Sequence, residues 1–350
     1  MTIEAFGYAT HSATSPLGPF RFERRDPRPD DVTIEILYCG VCHSDLHQAR
    51  NDWNNSIYPM VPGHEIIGRV TRVGPHVKRI KAGDRVGVGC MVDSCLSCDA
   101  CEEGLEQFCR CFPTLTYNAL DKEGAPTYGG YSDKIVVKDH FVVKIPDGLD
   151  LAGAAPLLCA GITTWSPLRH WKVGKGSQVA VTGLGGLGHM ALKLAKALGA
   201  HVTLFTRSPG KSRDARRLGA DEIVVSTDAA QMKAVERKFD FILDTVPYVH
   251  DLNPYVPTLT INGTLALVGY LGGLEPFLET TPLIMGRRSV AGSLIGGIAE
   301  TQELFDFCGR HKIVSDVEVI KMRDINDAYE RLLKADVKYR FVIDIASLRE

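Results

Sequence analysis

The first 150 residues show the hydrophobic pattern of short β-strands. Apolar and polar side chains alternate along residues 32–38 and 67–73, and an apolar run at 85–88 follows a turn at Gly83. Alternation with a period of two is typical of strands that bury one face. Glycine and proline interrupt these runs as far as Pro146. The pattern therefore predicts a twisted, mostly antiparallel β domain.

The pattern changes near residue 151, where apolar runs begin to alternate with amphipathic segments. A helical entry at 154–161 is followed by helical patterns at 186–198 and 211–218. The short apolar runs between and after them are residues 178–182, 202–206, 223–225, 240–244, 264–268 and 289–293. Such alternation predicts an α/β architecture with a parallel, doubly wound sheet.

The end of this alternation near residue 296 sets the predicted domain boundaries. Residues 300–308 have a helical pattern and residues 340–345 a strand pattern, and we expect this last segment to pack on the first domain. The sequence therefore predicts an α/β two-domain protein. Residues 1–153 and 297–350 would form the β-rich domain, and residues 154–296 the doubly wound domain.

Composition limits the classes of function. The chain of 350 residues is 45% hydrophobic and 23% charged, with a formal net charge of -2. This balance is typical of a globular protein and argues against a nucleic-acid partner or an acidic membrane surface, which usually require a basic excess. No apolar run approaches the ~18 residues that cross a bilayer, and residues 1–5 lack the pattern of a secretory leader. We expect a small-molecule substrate and a cytoplasmic location.

Four of the ten cysteines lie on one short loop. They follow the spacing Cys95-x-x-Cys98-x-x-Cys101, with Cys109 after seven further residues. Tetrahedral zinc takes four thiolates, and this spacing lets successive sulfurs face one centre, whereas disulfides between such close neighbours are strained. We predict a closed structural zinc site in a lobe at about residues 90–112, with an iron–sulfur cluster as the alternative. Cys111 has no place among four ligands and is expected to be a packing residue.

A glycine-rich turn follows the first apolar run of the α/β region and opens its helix. The turn reads Gly183-Leu184-Gly185-Gly186-Leu187-Gly188. In the dinucleotide-binding fingerprint the first glycine allows the turn, the second lets the backbone approach the pyrophosphate, and the third allows close packing of helix on strand. The helix N-terminus then offers free N–H groups to the anion. The alternative is a glycine-rich turn without a ligand.

The end of the second strand of this region indicates which nicotinamide dinucleotide binds. An NAD site has an acidic residue there for the ribose hydroxyls, but this chain reads Thr206-Arg207-Ser208 and continues to Lys211 without an acid. Arg207 and Lys211 would neutralise a 2′-phosphate, and Thr206 and Ser208 would donate hydrogen bonds to it. We therefore expect NADP(H). A solvated basic turn beside a permissive NAD site is the alternative.

Cys42 and His64 belong to a second candidate metal site. Taken alone, these two residues fit a buried free cysteine and a core histidine equally well. Cys159, at the predicted domain junction, offers a further thiol. Two cysteines and one histidine are a known ligand set for catalytic zinc, which keeps its fourth position open.

These motifs together resemble the zinc-dependent medium-chain alcohol dehydrogenases, most closely the cinnamyl alcohol dehydrogenase (CAD) branch and its bacterial NADPH-dependent aldehyde-reductase relatives. The motifs are the four-cysteine loop and the segments 40–47 (GVCHSDLH), 63–65 (GHE), 156–161 (PLLCAG) and 183–188 (GLGGLG). The resemblance implies a GroES-like catalytic domain, a Rossmann domain, two zinc ions per chain, NADP(H) and a homodimer. It implies reversible hydride transfer between NADPH and aromatic, cinnamyl-type or medium-chain aldehydes.

The resemblance also implies roles around the second metal site. Cys42, His64 and Cys159 match the zinc ligands of the family. Glu65 matches a glutamate that can replace water in the fourth position. Asp45 matches the carboxylate that hydrogen-bonds the ligand imidazole, with a helix cap as the alternative.

Ser44 and His47 match the proton relay of the family. Ser44 resembles the hydroxyl that passes the proton of the alcohol toward the nicotinamide ribose, and it would therefore also contact the cofactor. His47 resembles the terminal base that faces solvent. The alternative for His47 is a surface histidine near the cofactor.

Two further sets of residues follow from the resemblance alone. The nicotinamide half of the cofactor would contact Thr163, Thr245, Gly269, Ser293 and Ile295. The walls of the substrate pocket would include Trp53, Cys90, Leu115, Met285 and Ile298, with ordinary core packing as the alternative for each. The plant lignin enzymes have a tryptophan at the position of Leu115, so the resemblance implies broad rather than strict cinnamyl specificity.

Three alternative functions are distinguished by particular residues. A polyol or sugar-alcohol dehydrogenase of the same superfamily would favour polar pocket residues and an acid after the second strand. A non-catalytic zinc or thiol redox sensor on the same fold would lack part of the set Cys42, His64, Cys159 and the relay, yet all are present. A nucleic-acid-binding zinc module would require a basic patch.

Overall fold

Seventeen strands in the computed structural model, which describes residues 2–350, form four sheets. Met1, the first residue of the N-terminal stretch considered above, lies outside the described residues. In chain order, strands β1 to β17 are Ile3–Ala9, Gly18–Arg24, Asp31–Val41, Ile66–Val73, Arg85–Val88, Met91–Asp93, Thr114–Leu115, Lys134–Lys138, Val143–Lys144, Gln178–Thr182, His201–Thr206, Glu222–Val225, Phe239–Asp244, Leu259–Leu267, Ser289–Gly292, Val317–Lys321 and Arg340–Asp344.

Helices connect these strands or cover their faces. In chain order, helices α1 to α10 are His43–Ala49, Asp99–Glu102, Leu151–Ala154, Ala160–His170, Gly188–Ala197, Ser212–Arg217, Ala229–Ala234, Thr280–Gly286, Ile298–His311 and Ile325–Leu333. Short 3₁₀ helices lie at Glu106–Phe108, Asp139–Phe141, Ala155–Leu158, Pro209–Lys211, Val256–Thr258, Met322–Asp324 and Ile345–Arg349. Within the described residues no single helix is long and apolar enough to cross a membrane; one bent pair, Leu151–Leu158 with Ala160–His170, meets the requirement by length and composition.

Strand β3 is the centre of the seven-stranded sheet. It pairs antiparallel with β4, β8 and β17, and only the β16–β17 pairing of this sheet is parallel. The sheet order is β16-β17-β3-β4-β5-β9, with β8 also on β3. The mostly antiparallel architecture predicted for the first domain is therefore confirmed. Because β17 pairs with the end of β3, the C-terminal strand lies beside the residue that precedes Cys42.

The six-stranded sheet is parallel throughout. Its order is β12-β11-β10-β13-β14-β15. After β10 the chain adds β11 and β12 on one side of β10, and then β13, β14 and β15 on the other side. This arrangement leaves a crevice at the carboxyl end of β10, where ligands bind in doubly wound folds. Its central strands β10, β11 and β13 are mostly buried, as expected for a sheet covered on both faces; Val179, Ala180 and Val181 are fully inaccessible. The predicted Rossmann architecture is confirmed.

The chain divides into two compact units. The first unit comprises residues up to Cys159 together with Gly296–Glu350, and the second comprises Ala160–Ile295. The first boundary thus follows Cys159, whereas the sequence analysis placed it after residue 153. The intervening 3₁₀ helix belongs to the first unit because Leu158 packs against Gly87 of β5.

The turn between β10 and α5 brings helix and strand into close contact. Gly183 has φ of 88°, a left-handed conformation that favours glycine. A Cβ atom on Gly188 would lie 2.1 Å from the carbonyl oxygen of Gly183, whereas one on Gly185 would meet no atom within 4 Å. The third glycine of the motif is therefore required for packing, and the second leaves open space beside the backbone.

We expect Gly188→Ala to destabilise the protein by about 3 kcal/mol, because overpacking against rigid backbone forces α5 away from β10. Chemical denaturation of the full chain measures this change. Gly185→Ala is the matched control and should unfold at the wild-type denaturant concentration. Equal stability of the two variants would contradict the close helix–strand contact.

Candidate metal centres and dinucleotide site

Three segments of the first unit bring two thiols, an imidazole and a carboxylate to one point. Cys42 caps α1, and Cys159 follows the 3₁₀ helix Ala155–Leu158. His64 and Glu65 directly precede β4. The candidate ligand atoms of these four residues all lie within 4.8 Å of one another, and all four residues are buried. We call Cys42, His64, Glu65 and Cys159 the ligand cluster.

The ligand cluster fits a zinc ion in distance and in chemistry. Two thiolates bound at about 2.3 Å to a tetrahedral zinc lie about 3.8 Å apart. The Sγ atoms of Cys42 and Cys159 are 3.9 Å apart. Two thiolates and one imidazole leave a fourth position open, as catalytic zinc requires. Among the described residues the buried Oε2 atom of Glu65 has no hydrogen-bond partner, so a carboxylate oxygen is available near that position.

Asp45 orients the imidazole of His64. Its Oδ1 atom lies 2.9 Å from His64 Nδ1, and its Oδ2 atom accepts the backbone N–H of Cys42 at 2.9 Å. Burial disfavours the charged imidazole, yet the pKa of His64 lies well above its ordinary value because of the Asp45 charge. The hydrogen bond to Asp45 places a proton on Nδ1 and directs Nε2 toward a metal. Because the same carboxylate caps α1, the two roles considered for Asp45 coexist.

Arg340 is a buried residue of this site that the sequence analysis missed. Its Nη2 atom donates to Glu65 Oε1, and its Nη1 atom lies 3.9 Å from Cys42 Sγ. The pKa of Cys42 lies well below its ordinary value because the Cys159 thiol hydrogen-bonds to it and Arg340 adds a positive charge. The available sequence signal was a charged residue at the start of an otherwise apolar run.

Gly40 allows Glu65 to lie against β3. A Cβ atom at this position would lie 1.8 Å from Glu65 Oε2. Any larger residue would displace the carboxylate from the ligand cluster. The glycine two residues before Cys42 is therefore part of the site.

Ser44 and His47 lie on α1 beside the ligand cluster. Ser44 Oγ is 3.6 Å from Cys42 Sγ, so its hydroxyl is adjacent to a candidate metal ligand. His47 is partly exposed, and its Nδ1 atom lies 2.7 Å from Asp52 Oδ2. Asp52 thereby orients the ring and leaves the Nε2 atom of His47 for another partner.

The four cysteines of the predicted structural site also converge. The Sγ atoms of Cys95, Cys98, Cys101 and Cys109 lie within 4.8 Å of one another. Backbone N–H groups of Cys95 and Arg110 donate to the sulfurs of Cys109 and Cys98, each at 3.5 Å. Such donors stabilise thiolates, and the set fits a closed tetrahedral zinc site.

Cys111 does not pack in the interior as the sequence analysis expected. The residue is exposed. It follows the last ligand of the loop by two residues, where the chain turns at the surface and the neighbouring Phe112 is 85% exposed. Negative charge on Cys95 raises the pKa of the Cys111 thiol.

The glycine turn of the second unit is bordered by two threonines. Thr245 Oγ1 donates to the carbonyl oxygen of Thr182 at 2.7 Å, which joins the carboxyl ends of β13 and β10. A Cβ atom on Gly269 would lie 2.5 Å from the carbonyl carbon of Thr245. Thr245 and Gly269 thus lie together beside the start of the glycine turn, at the crevice of the parallel sheet.

The basic segment after β11 lies at the same edge of the sheet. Arg207 donates from Nη2 to the hydroxyl of Tyr248 at 2.7 Å, and Lys211 donates to the carbonyl oxygen of Leu184 at 3.3 Å. Ser208 N–H donates to Thr206 Oγ1 at 3.1 Å. The structure therefore holds Lys211 against the glycine turn and Arg207 against Tyr248, a residue the sequence analysis did not select.

The remaining predicted site residues fall into both units. Thr163 is buried in α4, Ser293 follows β15, and Ile295 has φ of 36°. Trp53, Cys90, Leu115 and Ile298 belong to the first unit, whereas Met285 lies in the second and is 81% exposed. The rings of Trp53 and His47 are tilted by 41° to each other, with centroids 5.8 Å apart. The assignment of these residues to substrate or cofactor remains a prediction.

Two family models match the chain. Residues 28–147 match the alcohol dehydrogenase GroES-like domain, and residues 186–310 match the zinc-binding dehydrogenase domain. The Escherichia coli aldehyde reductase YahK is 53% identical over 352 residues, covering 100% of both chains. A probable mannitol dehydrogenase of Medicago sativa is 51% identical, covering 99% of this chain and 96% of that protein. A crystal structure of CAD from Helicobacter pylori complexed with NADP(H) has a TM-score of 0.90 and 44% identity, covering 99% of each chain.

We expect the wild-type protein to bind two zinc ions per chain and Cys159→Ala to lose about one, because the variant removes one of three ligands. Elemental analysis after dialysis against a weak chelator measures this content. Cys90→Ser is the matched control, since Cys90 donates to the Leu158 carbonyl and is outside the ligand cluster. Retention of both ions by the Cys159 variant would disprove the ligand assignment.

Proposed function

This chain belongs to the zinc-dependent medium-chain alcohol dehydrogenase family, and from that premise we propose that it reduces aldehydes with NADPH and oxidises the corresponding alcohols with NADP. One observation carries the proposal. A buried cluster of two cysteines, one histidine and one glutamate occurs in the same chain as a glycine turn and a basic segment without an acid. The related aldehyde reductase and the NADP(H) complex of CAD support it.

The residues of the ligand cluster prepare a site for a Lewis acid. A zinc ion held by Cys42, His64 and Cys159 would polarise an aldehyde carbonyl and stabilise negative charge on its oxygen. Asp45 keeps the proton of His64 on Nδ1, away from the metal side. Arg340 holds one carboxylate oxygen of Glu65, and the other, which has no hydrogen-bond partner among the described residues, would be available to the zinc ion.

Ser44 and His47 provide the proposed route for the proton that accompanies hydride transfer. The Ser44 hydroxyl lies next to a ligand sulfur and holds a proton within reach of a substrate oxygen in the open position. His47 lies on the same helix and is partly exposed, so solvent reaches its ring. Asp52 orients this ring through the 2.7 Å contact with Nδ1.

Aldehydes with aromatic or medium-length apolar groups are the substrate class that the candidate pocket residues support best. Trp53, Leu115, Met285 and Ile298 are all apolar, and Cys90 adds only a thiol. A polyol would require several hydroxyl partners, which these five side chains do not offer. The specific observation that favours the second candidate, a polyol dehydrogenase, is the 51% identity to a probable mannitol dehydrogenase.

We expect the zinc-loaded protein to oxidise NADPH faster than NADH in the presence of cinnamaldehyde or hexanal, and to reduce NADP only weakly with mannitol. Initial rates at 340 nm with each pair of substrates measure this preference. Mannitol turnover above that of cinnamyl alcohol would favour the polyol dehydrogenase instead.

The Arg207→Ala, Lys211→Ala double variant should lower kcat/KM for NADPH by at least about 100-fold and leave that for NADH within about threefold, because each charged contact to a phosphate contributes about 1.5–3 kcal/mol. Lys233→Ala, which removes one exposed positive charge elsewhere in the second unit, is the control. An unchanged preference in the double variant would place the phosphate elsewhere.

We also propose a homodimer formed through the second unit. Strand β15 is the last strand of its sheet and is largely exposed, and the preceding helix α8 exposes Ile284 and Met285 at 76% and 81%. An unpaired edge with adjacent apolar side chains is suited to pairing with a second copy. Light scattering should give twice the 38.3 kDa chain mass, and Ile284→Lys should lower it. A monomeric wild type would refute the dimer.

A cytoplasmic location is proposed from the state of the cysteines. None of the ten cysteines, all of which lie in the described residues, forms a disulfide, as is usual for a reducing compartment. Cell fractionation tests this location, and recovery in a secreted or oxidising compartment would contradict it.

A further inference from the structure

The carboxyl end of β13 carries a buried carboxylate that the proposed mechanism does not use. Asp244 is 1% exposed. Its Oδ1 atom accepts the backbone N–H of Val246 at 2.9 Å, and its Oδ2 atom lies 2.8 Å from His250 Nε2. Asp244, at the end of β13, therefore binds both the first and the last part of the loop formed by residues 245–250.

Both ring nitrogens of His250 face hydrogen-bond acceptors. Nε2 faces the carboxylate of Asp244, and Nδ1 lies 2.9 Å from the carbonyl oxygen of Tyr248. A neutral imidazole carries one N–H and therefore satisfies only one of these contacts, whereas an imidazolium donates to both. The geometry thus requires protonated His250 for the complete set of contacts. The hydrogen bond to Asp244 raises the pKa of His250, in agreement with this requirement.

Tyr248 connects this loop to the basic segment after β11. Its hydroxyl accepts the hydrogen bond from Arg207 Nη2 at 2.7 Å, and the guanidinium also lies 5.5 Å from the centre of the Tyr248 ring. Since β11 and β13 flank β10 on opposite sides, the pair spans the carboxyl end of the strand that leads into the glycine turn. Arg207 is thereby held at the crevice where the sheet order reverses.

A neutral partner leaves the charge of Arg207 available. Within the described part of the chain, the side-chain partner of Arg207 is a phenol and not a carboxylate, and one of its five N–H donors is used. A carboxylate partner would neutralise the guanidinium and repel a phosphate. Tyrosine instead limits the rotation of a long side chain while preserving its charge, which reduces the entropy lost when a ligand binds.

We infer that Tyr248 and His250 are positioning residues for recognition of the 2′-phosphate of NADP(H), with His250 holding the loop to Asp244 and Tyr248 holding the Arg207 guanidinium. The inference rests on the proposed use of NADP(H). The segment after β11 was proposed above to bind the 2′-phosphate. The present inference adds a supporting role for the loop after β13. Selectivity for the phosphorylated cofactor then depends on the protonation of one histidine that does not touch the phosphate.

The direction of the pH dependence follows from the raised pKa of His250. The protonated form is the one stabilised by folding, so the tether is complete at low pH and weakens as pH rises through the folded pKa, above the ordinary value of about 6.5. The charged groups that act on His250 are Asp244 and, from the end of β11, Arg207. The titratable phenol of Tyr255 faces the imidazole with ring centroids 6.3 Å apart, and Asp251 is the next residue in the chain. Ionisation of the 2′-phosphate near pH 6 acts in the opposite direction, so the two effects are separable above pH 7.

The first test measures binding without catalysis. Dissociation constants of adenosine 2′,5′-bisphosphate, adenosine monophosphate, NADPH and NADH are determined by titration calorimetry on the zinc-loaded full chain. Tyr248→Phe keeps the ring and removes the hydroxyl, and we expect it to weaken the two 2′-phosphorylated ligands about three- to tenfold while the other two change less than twofold. Tyr248→Ala, which also removes the ring, should weaken them further.

The second test uses the pH dependence of selectivity between pH 7 and pH 9. For wild type the ratio of the NADH to the NADPH dissociation constant should fall as pH rises. His250→Gln cannot titrate and should show the low ratio at every pH. His201→Gln is the matched control, because His201 is also near carboxylates, Asp221 and Glu222, but lies at the start of β11. It should reproduce the wild-type profile.

The outcomes separate this inference from the proposed function. A wild type that does not prefer NADPH over NADH overturns the proposed use of NADP(H). A wild type that prefers NADPH, with the preference lost in Arg207→Ala but retained in Tyr248→Phe and His250→Gln, overturns only the positioning roles. Tighter NADPH binding by Tyr248→Phe also overturns them, because the Arg207–Tyr248 pair would then compete with the cofactor.

Discussion

A buried excess of acidic groups is the constraint on which the first unit depends. The thiol of Cys42 and the carboxylate of Glu65 face one guanidinium, that of Arg340, and the thiol of Cys159 lies 3.9 Å from that of Cys42. Ionised groups removed from water destabilise a protein unless they are paired. Arg340 balances one of these charges, and a divalent cation balances the remainder. Metal binding and local folding are therefore coupled at this site.

The positions of the ligands follow from the ends of secondary-structure elements. Cys42 follows β3, and Glu65 precedes β4, the neighbour of β3 in the sheet. Arg340 begins β17, which pairs with β3 on its other side. Three adjacent strands thus deliver a ligand, a carboxylate and its counter-charge to one edge. Rigid strands position such groups more accurately than loops alone.

In the second unit, the candidate binding residues are brought together by the parallel arrangement of the strands. Parallel strands place all their carboxyl ends at one edge, so the loops after β10, β11 and β13 meet there although they are distant in sequence. The glycine turn, Arg207 and Tyr248 occupy these three loops. Charge and hydrogen bonding at this edge therefore depend on pairs such as Arg207 with Tyr248. Because the two residues are far apart in the sequence, the sequence alone does not indicate this pair.

Local patterns alone identified the fold class, the cysteine loop and the glycine turn. Each depends on spacing within a few residues: the period of strands, the x-x intervals of Cys95, Cys98 and Cys101, and the glycines between Gly183 and Gly188. The predicted domain junction, together with the resemblance, extended this to Cys159, which is far from Cys42 in sequence. The expectation for Cys111 failed because spacing excludes a ligand but does not show which side of a turn is buried.

Only the tertiary structure selected Arg340, Tyr248 and His250. Each acts through a partner from another element, and single residues of these types occur throughout the chain without such a role. Arg340 needed the pairing of β17 with β3, and Tyr248 needed the strand order that places β11 and β13 on either side of β10. The amino-acid sequence determined which groups were available and what local backbone they adopt. Which charges meet was decided by packing, because electrostatic pairing depends on distance in space and not on distance along the chain.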